Sequence, residues 1–217
     1  MNDIRTWKTA IYTGGAVFAL CLAVLGCLRA SGQSASVSQR YVKSDELQPD
    51  AVPYSDAYVI FGGFPVETTV TAERQDGNVE LQFMAFDRAM DEERYAFDET
   101  TFRYVGNVED AFDPGIPLLR FPLDVGDKWT WSGTYVFGGQ ERKASANVST
   151  SQDRLNTVAG EYGTVRVAVQ LSVESGSAEP VSRLLTFWFA PKRGVVRREF
   201  EMSTTREPMP PKESDGR

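Results

Sequence analysis

Val165-Arg166-Val167-Ala168-Val169-Gln170-Leu171-Ser172-Val173 is the stretch on which the fold class of this chain turns. Val165, Val167, Val169, Leu171 and Val173 recur with period two, while Arg166, Gln170 and Ser172 take the alternate positions. Alternation of this length marks a strand with one buried and one wet face. The next run, Leu184-Leu185-Thr186-Phe187-Trp188-Phe189, is apolar on both faces and predicts a central strand covered on two sides. Turn formers from Glu174 to Pro180 separate the two runs. Ala190-Pro191-Lys192-Arg193-Gly194 then turns the chain into a strand from Val195 to Thr205.

The same period extends toward the start of the chain. Val79, Leu81, Phe83 and Ala85 alternate with Glu80, Gln82 and Met84, and Asp76-Gly77-Asn78 is a tight-turn signal joining them to a strand from Val66 to Gln75. A second hairpin has Trp129, Trp131, Tyr135 and Phe137 on one face, a Gly138-Gly139 turn, and Ala144, Ala146 and Val148 on the returning strand. Asp87 to Glu99, with Asp87, Arg88, Asp91, Glu92, Glu93 and Arg94, reads either as a short exposed helix or as a charged loop. No segment resembles a βαβ crossover. The expected fold is all-β and antiparallel, with about nine to eleven strands in a strongly curved sheet that closes into a barrel or half-barrel; the alternative is a two-sheet sandwich.

Ahead of this domain, Thr9 to Leu28 is a run of 20 uncharged residues preceded by Arg5 and Lys8 and closing on Val24-Leu25-Gly26-Cys27. A cationic start, an apolar run and a small residue near its end are the parts of an export signal. Gly26 immediately before Cys27 is the arrangement of bacterial lipoprotein signals, in which Cys27 is the site of lipid attachment. An apolar helix of this length also spans a hydrocarbon core of about 30 Å as an uncleaved anchor, and ordinary signal cleavage is a third reading. Each places the domain in the cell envelope, facing the periplasm or the cell exterior. The expected organisation is a signal or anchor at 1–28, a flexible Ser-rich tether at 29–40, one β domain at 41–206 and a disordered tail at 207–217.

Composition excludes several functions. The formal charge is −7, and removal of Met1 to Gly26, with Asp3, Arg5 and Lys8, makes it −8. An acidic body is the wrong partner for nucleic acid, whose affinity comes mainly from phosphate neutralisation. Both cysteines, Cys21 and Cys27, fall in the export segment, so the domain has neither disulfide nor thiol. The chain has no histidine, which removes Ser-His-Asp and Cys-His catalysis and His-ligated zinc. Asp91-Glu92-Glu93, Glu109-Asp110 with Asp113, and Asp124 with Asp127 read as solvated loop acids; Lys192-Arg193 with Arg197-Arg198 reads as a solvated basic face. No catalytic residue, metal site or cofactor is expected. Trp129, Trp131 and Trp188 are candidates to line a cavity for an apolar ligand, with core packing as the competing role.

Three segments carry a family resemblance: Phe121-Pro122-Leu123-Asp124-Val125-Gly126-Asp127-Lys128-Trp129, then Val158-Ala159-Gly160-Glu161-Tyr162-Gly163-Thr164-Val165-Arg166-Val167, then Trp188-Phe189-Ala190-Pro191-Lys192-Arg193-Gly194-Val195-Val196-Arg197. In this order they resemble signatures of a group of exported bacterial proteins, the TapB-like domain of unknown function. The match covers about Leu118 to Phe200 and departs from the pattern at Val158-Ala159, where a proline is usual. The resemblance implies an exported, β-rich domain, often a lipoprotein, with no catalytic residues to transfer. The function expected is a non-enzymatic envelope lipoprotein, held to the membrane through lipidated Cys27 or an uncleaved helix, whose β domain binds another envelope protein or lipid. The alternatives are a carrier or sensor of an apolar small molecule and, remotely, a carboxylate-dependent glycan hydrolase, which needs two inward-facing acids about 5–10 Å apart.

Overall fold

The structure, a computed structural model, describes residues 39–41, 46–47, 55–61, 63–176, 179–200 and 204–210. All belong to one compact unit, Val37–Arg217; a second unit, Met1–Ser36, lies outside the described residues, and with it the expected apolar helix, Cys27 and most of the tether.

Among the described residues the chain forms fourteen strands. The first seven are β1 (Arg40–Tyr41), β2 (Asp56–Phe61), β3 (Phe64–Gln75), β4 (Asn78–Ala85), β5 (Arg88–Phe97), β6 (Thr101–Gly106) and β7 (Asp110–Arg120). The remainder are β8 (Leu123–Asp124), β9 (Lys128–Phe137), β10 (Gln140–Thr157), β11 (Gly160–Val173), β12 (Val181–Ala190), β13 (Gly194–Phe200) and β14 (Thr204–Pro208). β1 pairs with β8, and the other twelve close into a barrel in the order β10-β11-β12-β13-β14-β2-β3-β4-β5-β6-β7-β9. Every neighbouring pair is antiparallel.

The expected barrel is the one observed, with more strands than alternation reveals. β6 and β7 escape a period-two reading because Pro114, Gly115 and Pro117 interrupt β7, and the register between the two strands shifts at Phe102/Arg103 and again at Tyr104/Gly106. Asp87–Glu99 is neither helix nor loop, since most of it is β5. Asp91, Glu93 and Tyr95 point inward while Glu92, Arg94 and Ala96 point outward, so both faces of the strand carry charge and the period is hidden. The domain also reaches further than its expected limits. Arg40 pairs with Asp124, and Glu207 and Pro208 pair with Tyr58 and Ala57.

Elsewhere the local chemistry and the structure agree. Asp76 and Gly77 both have left-handed backbones (φ 46° and 78°) and close the β3–β4 hairpin in two residues, the turn that matches strand twist. Gly138-Gly139 closes β9–β10, and Val165, Val167, Val169, Leu171 and Val173 all face the core. On β12, Trp188 and Ala190 are buried on the outer face against Leu155, Val196 and Tyr162, which accounts for the two-sided apolar run; Leu184 is exposed. Around most of the barrel the inside is apolar and the outside carries Ser, Thr, Glu, Lys and Arg, the reverse of a membrane-spanning barrel.

An eight-stranded barrel is just filled by its own side chains, so twelve strands in a round section would enclose a lumen. Here the opposed walls touch. Phe102 and Tyr104 of β6 meet Phe189 and Phe187 of β12 with ring centroids 5.5 and 5.2 Å apart, although the strands lie five places apart around the barrel. Phe112 extends the stack to Trp131 and Tyr135. Tyr41, Leu47 and Leu123 join the same core, so the β1–β8 pair and the Leu47 segment close one end. That end, here called proximal, is where β2 begins, β14 finishes and the β3–β4, β5–β6, β7–β9, β10–β11 and β12–β13 connections lie. The β2–β3, β4–β5, β6–β7, β9–β10 and β11–β12 connections lie at the distal end.

Candidate functional site

Two constellations carry chemistry, one inside the barrel and one at its distal end. Inside, antiparallel pairing sets Arg198 of β13 directly opposite Arg206 of β14, an unfavourable juxtaposition of like charges. Asp91 and Glu93, two apart on β5 and therefore on one face, answer them from across the interior. Arg206 donates from Nε and Nη2 to the two Glu93 carboxylate oxygens at 2.8 and 2.6 Å, and from Nη1 to the Val195 carbonyl at 2.8 Å. Arg198 donates to Asp91 and lies 3.3 Å from Glu93. The Tyr95 hydroxyl donates to Glu93 at 2.5 Å. Arg198, Arg206 and Glu93 are fully buried.

The two acids respond differently to the same surroundings. Burial alone would raise Glu93, but Arg206 and Arg198 outweigh it and bring its pKa down to about 2. Burial dominates at Asp91 and raises its pKa, with Arg198 offsetting only part of the effect. Tyr95 and Tyr104 are pushed well above the phenol range, first by burial and, for Tyr95, then by Glu93. The Tyr104 hydroxyl and the Arg198 Nε and Nη1 groups are buried without a hydrogen-bond partner. These acids are therefore not the solvated loop acids of the sequence reading, nor is Arg198 part of a solvated face. Asp91 and Glu93 do meet the spacing requirement of a carboxylate hydrolase, since residues i and i+2 of a strand lie roughly 6–7 Å apart. Access fails instead: both are enclosed and ion-paired to arginine, where no glycan reaches.

At the distal end the interior closes with a polar cap. The Tyr135 hydroxyl donates to Asp110, and Arg183 donates to Tyr135 at 2.6 Å while lying 3.5 Å from Asp110. Asn107 Oδ1 accepts from the Glu109 and Asp110 amides at 2.8 and 2.7 Å, fixing the β6–β7 turn that carries Asp110. Around this cap each of the five hairpins whose connections are described presents one exposed large apolar residue at or beside its turn: Phe64, Phe86, Val108, Phe137 and Val181. Phe86 and Phe64 are 82% and 77% exposed. Following ladder partners around the barrel returns to β10 about 16 residues nearer its start, a stagger that tilts the strands by about 40°. With that tilt the five tips come level to within about 6 Å, spaced about 13 Å apart along the rim. The proximal tips instead carry Asp76-Gly77, Asp98-Glu99-Thr100 and Lys192-Arg193, with Val158 as their one exposed large apolar residue among those described.

Phe86 is held there against backbone preference. Phe86 and Asp87 form a two-residue turn with φ of 53° and 58°, positions that glycine and asparagine occupy cheaply and an aromatic residue does not. No packing is gained in return, because the ring points into solvent. Nothing in the fold requires an aromatic residue at this turn.

The sequence-predicted residues are dispersed. Trp131 is buried on the inner face and donates to the Pro114 carbonyl at 3.0 Å; Trp129, on the same face, donates to the Pro117 carbonyl at 2.8 Å. Trp188 faces outward, donates to Asp153 at 2.9 Å and lies between Arg166 and Arg197. The three therefore do not line one cavity. Cys27 lies outside the described residues. The distal apolar residues are not legible in the sequence because each is a single residue beside a turn, and only barrel closure brings them to one end.

No protein-family model matches the chain, and no curated protein matches it. Solved structures similar to it include the hypothetical lipoprotein YmcC of Escherichia coli, at 11% identity and a TM-score of 0.43, covering 74% of this chain and 88% of that one. A protein from Bacteroides fragilis, inferred to be exported and with a YmcC-like fold, is similar at 14% identity and a TM-score of 0.43, covering 75% and 97%. A protein from Parabacteroides distasonis inferred to be a lipoprotein is similar at 12% identity and a TM-score of 0.37, covering 75% and 96%.

Proposed function

We propose that this chain is a non-catalytic envelope lipoprotein, anchored through Cys27, whose barrel docks on another envelope component by its distal end. The observation that carries the reading is the set of five exposed large apolar residues at one end of the barrel, against one, Val158, at the other end among the described residues. The export segment supports the location, and the enclosure of Asp91 and Glu93 supports the absence of catalysis. A carrier role is disfavoured by the ring contacts between opposed walls and by the opposite facing of Trp131 and Trp188.

Photo-crosslinking in intact envelopes tests the docking. A benzophenone amino acid at Phe64 or Phe137 is expected to capture an envelope protein or lipid, and the same group at Val158 is not. Rim positions that yield no more adduct than Val158 would sink the reading.

A further inference from the structure

The geometry points to a lipid bilayer, rather than a protein, as the surface on which the distal rim docks; this rests on the docking reading above and narrows it. A stable protein interface places its apolar anchors at the centre, inside a polar ring that excludes water. The distal end has the opposite plan. Its centre is the charged cap of Asp110, Tyr135 and Arg183, and its apolar residues stand around it, one per described hairpin, with Phe137 stacked on the cap's Tyr135. Separated prongs on a common level leave no contiguous patch for a partner to cover, yet each can enter a fluid layer independently, with the cap left among the headgroups. Phenylalanine suits such shallow insertion, as on the apolar face of helices that lie in the headgroup boundary.

The rim's charges say which bilayer. Arg88 and Arg142 are offset by Asp87, Glu109 and Glu141, all exposed, so the rim offers no basic field to recruit anionic lipid. Apolar insertion into a zwitterionic surface is the mode that fits.

The test uses the full chain reconstituted in phosphatidylcholine vesicles, with and without bromine on the acyl chains. Phe86→Trp and Phe64→Trp each add a fluorophore at the rim, and Val158→Trp adds one at the proximal end. Bromine is expected to remove at least half of the emission added at Phe86 or Phe64 and to leave that added at Val158 nearly unchanged, with little response to salt. Thermal melts that overlay the parent confirm that each variant folds. Rim emission indifferent to bromine overturns the inference, and so does equal quenching at all three positions. If the rim is not quenched but crosslinks to a protein in envelopes, the bilayer is wrong and the docking reading survives; if it does neither, both fall.

Discussion

Glu93 accepts from both Arg206 and Tyr95 in full burial, so its removal is felt through the charges left behind. Glu93→Gln leaves two buried guanidiniums facing Asp91 alone and should cost about 3–5 kcal/mol in urea unfolding, the range for breaking a buried pair. The pH dependence separates this residue from its neighbour. Because the Glu93 pKa falls from 4.5 to about 2 on folding, the unfolded chain takes up a proton in that window before the folded chain does. Its stabilisation is complete above about pH 4.5 and is lost as pH falls toward 2. Asp91, whose pKa is raised, works in the opposite direction and weakens the fold as pH climbs past 3.8. Urea midpoints between pH 6 and 2 should therefore drop in the parent and drop less in Glu93→Gln, where Asp98, its pKa held down to about 2 by hydrogen bonds from Thr100, keeps a share of the decline; an unchanged decline would assign it elsewhere. Neither acid was legible as a core residue in the sequence. Each is explained only by an arginine more than 100 residues away, and local patterning carries no information about that pairing.

At the scale of the hairpin, Asp76-Gly77 and Phe86-Asp87 are the same turn built from opposite priorities. The first uses residues that tolerate positive φ, and a side chain at Gly77 would also meet the Phe97 carbonyl at 2.8 Å. The second keeps an aromatic ring at the tip at a backbone cost of about 1–2 kcal/mol per residue. Replacing it by the turn-compatible pair, Phe86→Asn with Asp87→Gly, should raise stability by about 1–2 kcal/mol, a melting rise of several degrees for a domain of this size. The same pair should lower vesicle attachment through the rim. A variant that is more stable and docks as well as the parent would deny Phe86 its role. Turns chosen for folding are the ones the sequence announces, so β3–β4 and β9–β10 were legible. A turn that keeps an exposed aromatic side chain lacks the Asn-Gly signature, so the sequence does not announce the β4–β5 hairpin. Likewise the alternation of β11 was plain because only one of its faces is apolar, whereas β5, charged on both, concealed its period.

Over the whole molecule, the all-β antiparallel class followed from alternation, turn spacing and the lack of helical segments, while alternation left barrel, half-barrel and sandwich all open. What alternation could not supply was the section of the barrel: contact between β6 and β12 depends on aromatic residues meeting across the interior, a property of three-dimensional packing alone. Closure itself joins β2, near the start of the domain, to β14, at its end, through pairs such as Ala57 with Pro208. A chain shortened to end at residue 203 should lack the partner of both β2 and β13, and should sediment as aggregate where the parent stays monodisperse. That seam also bears on timing. As the chain is made from its first residue onward, β2 is complete before β14, and its edge stays open until that final barrel strand follows. The strand that closes the edge carries Arg206, the counter-charge for a carboxylate already in place on β5. A partly made chain is thus incomplete in hydrogen bonding and in charge at once, so the barrel distinguishes a finished copy from an unfinished one without any outside inspector.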